Sequence, residues 1–325
     1  MHDPKFGLFL LPNTIKEATD GALKAESDGF YSVSVNDHFY SPLGDAHTPQ
    51  LECFTALTAI AMVTQSIKLV PAVAAASFRT PALLGKITSS VDLASDGRFI
   101  CGLGAGWQGT EYLAHDYPFP PLKERLEQLD ETIQVLKAMW TEDSPAFTGK
   151  HFKVYDAYNN PRPVQQPHPP IMLGGSGTGL LKIAAREANI LNIIPPTSNG
   201  KDFPNDPVAT VKFTMEVMKE RIALLHRLMA DNGRDPAEME LGGLCLIGLS
   251  ENKNDPDLQA MAQNMGFPDY ASAQRAPVAL MGTTAEVRNE LEKRIDQTGV
   301  TYYIMLSANS ETQEMFVSDV MPHFK

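Results

Sequence analysis

Cysteine is scarce in this chain. Cys53, Cys101 and Cys245 are widely separated and form neither a disulfide framework nor a metal-binding spacing. Each sits in an apolar run and reads as a small core residue. Long apolar runs are missing too, since none approaches the ~20 residues that a membrane-spanning helix needs. The apolar run within MHDPKFGLFLLPN is too short for a secretory leader, and no small-residue cleavage site follows it. A reducing, cytoplasmic setting is the expectation. Positive charge is short: 27 Lys and Arg stand against 39 Asp and Glu, a net charge of −12. That balance gives no electrostatic footprint for nucleic acid or an anionic membrane. The scattered charges read as a solvated surface. Gly-x-Ser-x-Gly is absent, which argues against a serine hydrolase elbow. No closely spaced His, Cys and carboxylate set has metal-ligand spacing.

What remains is an ordinary globular composition, 43% hydrophobic and 20% charged, able to bury a sizeable core. Apolar runs with strand character fall at residues 5–11, 31–36, 67–73, 98–103, 171–173, 190–194, 241–249 and 301–306. Between them lie helical patterns at 15–28, 49–64, 81–93, 123–140, 180–188, 207–231 and 284–297. Thr14 and Thr80 stand at N-cap positions, and Gly29 and Gly299 close helices. Residues 145–161 read as a hairpin insertion, 197–206 as a mobile loop, 252–277 as an excursion with at least one helix, and the tail from Glu311 as a last helix. Strands alternating with helices in this number predict a parallel sheet closed into a (β/α)8 barrel with insertions, over residues 1–325 as one domain. The competitor is an open doubly wound sheet. Its glycine-rich loop after the first strand is replaced here by Pro12-Asn13-Thr14.

In a barrel the chemistry collects at the C-terminal ends of the strands. The second strand ends on Asp37 and His38, a carboxylate beside an imidazole, which serves either proton transfer or a cap and a packed ring. The third runs into PAVAAASFR, whose small side chains suit either a planar ring or a close-packed helix. The fourth opens into Gly104-Ala105-Gly106 and then Trp107, at the head of an exposed-looking Trp-Gln-Gly-Thr-Glu-Tyr turn. Glycine lets backbone approach a ligand closely, so this mouth suits a cofactor ring as well as a tight turn. The fifth is followed by GGSGTG at a helix start, a phosphate cradle or a flexible loop, without the Gly-Lys-Ser/Thr of a nucleotide P-loop.

The runs GFYSVSVNDHF, RTPALLGKITSSVDLASDGRFICGLGAGWQGTEY, NNPRPVQQPHPPIMLGGSG and MGTTAEVRNELEKRIDQTGVTYY, in this order, resemble the bacterial luciferase-like flavin and deazaflavin oxidoreductases. The compact length and the Gly-Ala-Gly-Trp pattern look most like the branch dependent on coenzyme F420. The resemblance implies a (β/α)8 barrel with the ring at its C-terminal mouth. Asp37 and His38 then lie near the reactive centre, with His38 as proton donor or substrate-positioning group. Ala72 and Val73 form the bulge on which the ring rests, often with a non-proline cis peptide. Gly106 and Trp107 wall the cofactor, and the amides of Gly175, Ser176 and Gly177 hold phosphate. Some deazaflavin dehydrogenases carry an acid–base Glu where Trp107 stands. Trp107 cannot serve so, which speaks against sugar-phosphate dehydrogenation. Trp107 and Phe39 instead point to an apolar or aromatic small-molecule substrate. F420-dependent hydride transfer is the first expectation, an FMN-dependent two-component monooxygenase the second, and a non-catalytic flavin-binding protein the third. Relatives imply a homodimer.

Overall fold

The computed structural model describes residues 3–41, 45, 47–196 and 207–324. Its first half runs β1 (Lys5–Phe9), α1 (Ile15–Asp28), β2 (Ser32–Val35), α2 (Cys53–Val63), β3 (Lys68–Pro71), β4 (Ala74–Ala75), α3 (Pro81–Ala94), β5 (Cys101–Gly104), α4 (Gly109–Ala114) and α5 (Leu122–Thr141). A hairpin, β6 (Phe147–Thr148) with β7 (Lys153–Val154), precedes β8 (Ile171–Gly174), α6 (Thr178–Glu187) and β9 (Ile190–Asn192). Then come α7 (Pro207–Lys212), α8 (Met215–Asp231), β10 (Glu240–Leu249), α9 (Pro256–Asn264), α10 (Tyr270–Arg275), β11 (Ala279–Gly282), α11 (Thr284–Thr298), β12 (Tyr302–Ser307) and α12 (Ser310–Met315). The expected loop at 197–206 lies outside the described residues.

The strands pair in parallel in the order β3-β2-β1-β12-β10-β9-β8-β5-β4. β3 and β4 are two parts of one stave, broken at Ala72-Val73, where the peptide is cis. β3 pairs β2 and β4 pairs β5, and a bridge between Leu69 and Phe99 brings the two ends of the sheet together. The result is the expected parallel barrel, nearly closed, with helices outside. An inner layer of Val70, Ile100, Met172, Ile190, Tyr302 and Ile304 fills it. The larger core lies between staves and helices. No helix among the described residues is long and apolar enough to cross a membrane. All three cysteines are buried and unpaired.

Local chemistry sets most boundaries. Thr14 accepts from Glu17 N–H at the start of α1, and Gly29 ends it with φ 84°. Thr283 and Glu286 form a reciprocal capping box on α11. Four expectations are corrected. Thr80 precedes α3 without a capping bond, Pro81 being the start signal instead. The helix expected over 207–231 is two, because Phe213 is buried between them and Thr214 caps α8 through Val217 N–H. β11 was not anticipated; it takes over from β9 along the same edge of β10, from Leu246 onward. The stretch after Trp107 is no exposed turn: it folds into α4, which buries Glu111 and Tyr112.

Glu26 on α1 staples the loop before β3. Its carboxylate accepts from the N–H groups of Gln65, Ser66 and Ile67 and from the Ser66 hydroxyl. Burial alone would raise its pKa, but these donors hold it at about 2, below the ordinary 4.5. Because the folded value is depressed, the stabilisation is complete above about pH 4.5 and is lost as pH falls toward about 2. Glu26→Gln is expected to cost about 1–2 kcal/mol at pH 7, given partial solvent screening. Urea midpoints should show that gap closing between pH 4.5 and 2; a gap unchanged with pH contradicts the account.

Candidate active site

A cavity of about 560 Å3 opens at the C-terminal end of the barrel. It is lined by Ala72, Val73, Gly106, Trp107, Gly175, Ser176 and Gly177, together with Asp37 and His38. The structure therefore gathers every site residue read from the sequence into one cavity. Phe39 is not among the lining side chains; it stacks on His115 with ring centroids 4.2 Å apart.

The alanine run forms one wall. Ala72 through Ala75 all line the cavity, and Val73 reaches across the strand ends. A Cβ on Gly104 would lie 2.8 Å from Val73 Cγ2, and one on Gly174 3.0 Å from its Cγ1. Both positions therefore exclude side chains by close approach. Gly106 has φ 74°, and a Cβ there would meet the Tyr112 hydroxyl at 1.9 Å. That hydroxyl pairs with Ser77 Oγ at 2.7 Å, and burial raises its pKa to about 12.

Asp37 and His38 have different surroundings. Asp37 accepts a bidentate pair from Arg79, at 2.7 and 2.9 Å, and the Ala75 N–H at 3.0 Å. Arg79 also reaches Glu52. Burial would lower the guanidinium, but the two carboxylates hold it above its ordinary value. Asp37 thus ties β4 to the end of β2, and its carboxylate is committed to the protein. His38 Nδ1 lies 2.8 Å from Glu111 Oε2, while Glu111 Oε1 accepts the Phe39 N–H. Glu111 is fully buried. A carboxylate accepts only, so Nδ1 is the protonated nitrogen and Nε2 is left for the cavity. Trp107 meets the imidazole edge-on, with centroids 5.4 Å apart.

Sequence reasoning missed Glu111. Its one signal was its position in the quoted run after Trp107, and nothing local tied it to His38. It also missed Arg79, an arginine three residues beyond the alanine run.

The GGSGTG loop is partly spent on itself. Gly175 N–H donates to Asn192 O, and the Ser176 hydroxyl donates to Ile194 O. The α6 start at Thr178 carries no side-chain cap. Space beside Gly177 is open, with no heavy atom within 4 Å of a Cβ built there. Arg221, from α8, brings Nη1 to 3.5 Å from Thr178 Oγ1. Uncapped amides at a helix N-terminus with a guanidinium beside them favour an anion.

The coenzyme F420-dependent tetrahydromethanopterin reductase of Methanopyrus kandleri has the same fold, with a TM-score of 0.76, 19% identity and 100% of both chains covered. An F420-dependent glucose-6-phosphate dehydrogenase of Amycolatopsis mediterranei is 30% identical over 217 residues, 62% of this chain and 64% of that protein. An FMNH(2)-dependent dimethylsulfone monooxygenase of Pseudomonas putida is 30% identical over 162 residues, 50% of this chain and 44% of that protein. The chain thus spans less than two thirds of the length of these curated relatives. Residues 4–202 match the model of the luciferase-like monooxygenases. With the barrel, the cavity at its mouth and this match in place, the chain belongs to the luciferase-like monooxygenase family, whose members are oxidoreductases and monooxygenases that use F420 or FMN.

Proposed function

We propose that this protein transfers hydride between coenzyme F420 and a small, uncharged substrate carrying a hydroxyl or carbonyl group. The observation that carries this reading is the His38 imidazole, which lines the cavity and is fixed by buried Glu111 on Nδ1, leaving Nε2 for a substrate. The cavity volume of about 560 Å3 falls within the usual range of small-molecule sites. Its wall of Ala72 to Ala75, with side-chain-free Gly104 and Gly174, suits a flat ring. The open α6 N-terminus and Arg221 suit a phosphate. The residues present therefore fit the cofactor that the resemblance implies.

The bound deazaflavin supplies a carbon that accepts or donates hydride. The chain's own residues do the rest. Ala72 to Ala75 and Trp107 orient the ring and the substrate and exclude water. The amides from Gly177 onward, with Arg221, hold the phosphate. His38 Nε2 takes the hydroxyl proton as the substrate is oxidised, or returns it to the carbonyl oxygen in the reverse direction. Glu111 keeps the proton of the neutral ring on Nδ1 and balances the charge of the imidazolium. Among the described lining residues there is no Lys or Arg, so an anionic substrate finds no partner beside His38. Trp107, Phe9 and Leu11 favour an apolar one. A cytoplasmic homodimer with one barrel domain over 1–325 belongs to the same proposal.

Fluorescence titration of the purified protein with oxidised F420, and in parallel with FMN, tests the reading. Micromolar or tighter binding of F420 alone is expected, followed by alcohol-dependent bleaching of its absorbance. Binding of FMN alone, with oxygen uptake from reduced FMN, would move the assignment to the monooxygenase reading. Tight binding of either ring without turnover would favour a non-catalytic binding protein.

A further inference from the structure

The floor of the cavity holds a polar group that the protein leaves unmatched. Asn192 closes β9, is 3% exposed, and lines the cavity. Its side-chain Oδ1 is buried with no hydrogen-bond partner. Ile190, two residues earlier on the same strand, packs in the layer inside the barrel. Strand alternation therefore turns Asn192 inward as well. In register beside it stand Gly174 on β8 and Gly242 on β10, so neither neighbouring stave offers a side chain at that level. Several other polar groups of the cavity wall are engaged: Asn36 with Gln50, Asp37 with Arg79, His38 with Glu111, and Ser176 with Ile194 O. Gln108 Oε1 is also unpartnered, but Gln108 is only partly buried and lies in the loop before α4.

A buried acceptor without a donor is destabilising, and an apolar residue of the same shape would remove the penalty. The placement is explained if a ligand brings the donor. Flavin and deazaflavin rings share a uracil-like edge with one imide N–H between two carbonyls. A carboxamide matches that edge, its oxygen accepting from the N–H and its NH2 donating to a carbonyl. We infer that Asn192 is the binding residue for the imide edge of the ring, an inference that rests on the proposed function. It explains why a carboxamide stands in an otherwise apolar strand, Ile-Leu-Asn.

The test compares wild type with Asn192→Leu, a change of similar volume, by fluorescence titration with F420, FMN and the N3-methyl derivative of each ring. Thermal unfolding without ligand is the second readout. Asn192→Leu is expected to weaken ring binding about tenfold, the weight of one buried hydrogen bond. N3-methylation should cost wild type a similar factor and cost the variant little. Without ligand the variant should melt at the same temperature or higher, whereas loss of an ordinary structural hydrogen bond would lower it. Equal affinities in both proteins, an N3-methyl penalty of the same size in both, or a lower melting temperature with unchanged affinity overturns the inference and leaves the proposed function standing. Failure of wild type to bind either ring overturns both.

Discussion

His38→Ala should lower turnover by about 10²–10⁴-fold, the range for removing a positioned general acid–base group. Affinity for the ring should change by less than about threefold, since hydride-carrying chemistry and ring binding rest on other walls of the cavity. Glu111→Gln makes the sharper comparison. It keeps an oxygen for the Phe39 N–H, but turns an NH2 toward His38 Nδ1. The ring proton then moves to Nε2, the nitrogen that should be receiving one. A loss of about 10²-fold or more in turnover is expected, by the logic that governs the aspartate of a serine-protease triad. Its cause would be the wrong tautomer in an intact pocket, so circular dichroism and ring affinity should stay close to wild type. Measuring kcat with an alcohol panel alongside ring Kd separates the possibilities. Full turnover in His38→Ala removes the histidine from the mechanism. Parallel losses of turnover and ring affinity in Glu111→Gln would make Glu111 a structural brace only.

The largest expected effect on stability is at Arg98. Arg98 is 8% exposed. Nε donates to Ser95 O at 2.7 Å, Nη1 to Thr64 Oγ1 and Ile67 O, and Nη2 to Ala61 O and Thr64 O. One side chain thereby satisfies the C-terminal carbonyls of α2, the end of α3 and the entry to β3, groups that would otherwise be orphaned in the interior. Arg98→Ala leaves these acceptors buried and opens a void. About 3–4 kcal/mol should be lost, at the high end for a single substitution. For a chain of this size that corresponds to a fall in melting temperature of about 5 °C. Arg98→Lys should recover less than half, because an ammonium has no planar fork with which to reach all five acceptors. Thermal unfolding followed by far-UV circular dichroism measures both. A melting temperature within about 2 °C of wild type for Arg98→Ala would remove the clamp from the account.

Much of the framework follows from local pattern. The Thr14 and Gly29 ends of α1, the capping box of α11 and the runs that become β1, β2, β8 and β12 each depend on residues within a few positions of one another. Their alternation was enough to indicate a parallel barrel, and the barrel placed Asp37, His38, Gly106 and Trp107 at one end. The family resemblance added Ala72 and Val73 as a bulge, which the break between β3 and β4 matches. Other features had no local signature. Glu111 looked exposed because its neighbours are polar, yet it meets a histidine 73 residues away. Arg79 and Asp37 are 42 residues apart, and Arg98 reaches α2 across 37. Asn192 is an ordinary polar residue until glycines on both neighbouring staves leave it alone in an apolar floor. Sequence by itself determined most of the elements and their order, because hydrogen bonding and periodicity act over a few residues. Tertiary structure alone decided which side chains meet, because closing the barrel sets distant segments side by side and excludes the water that would otherwise have satisfied them.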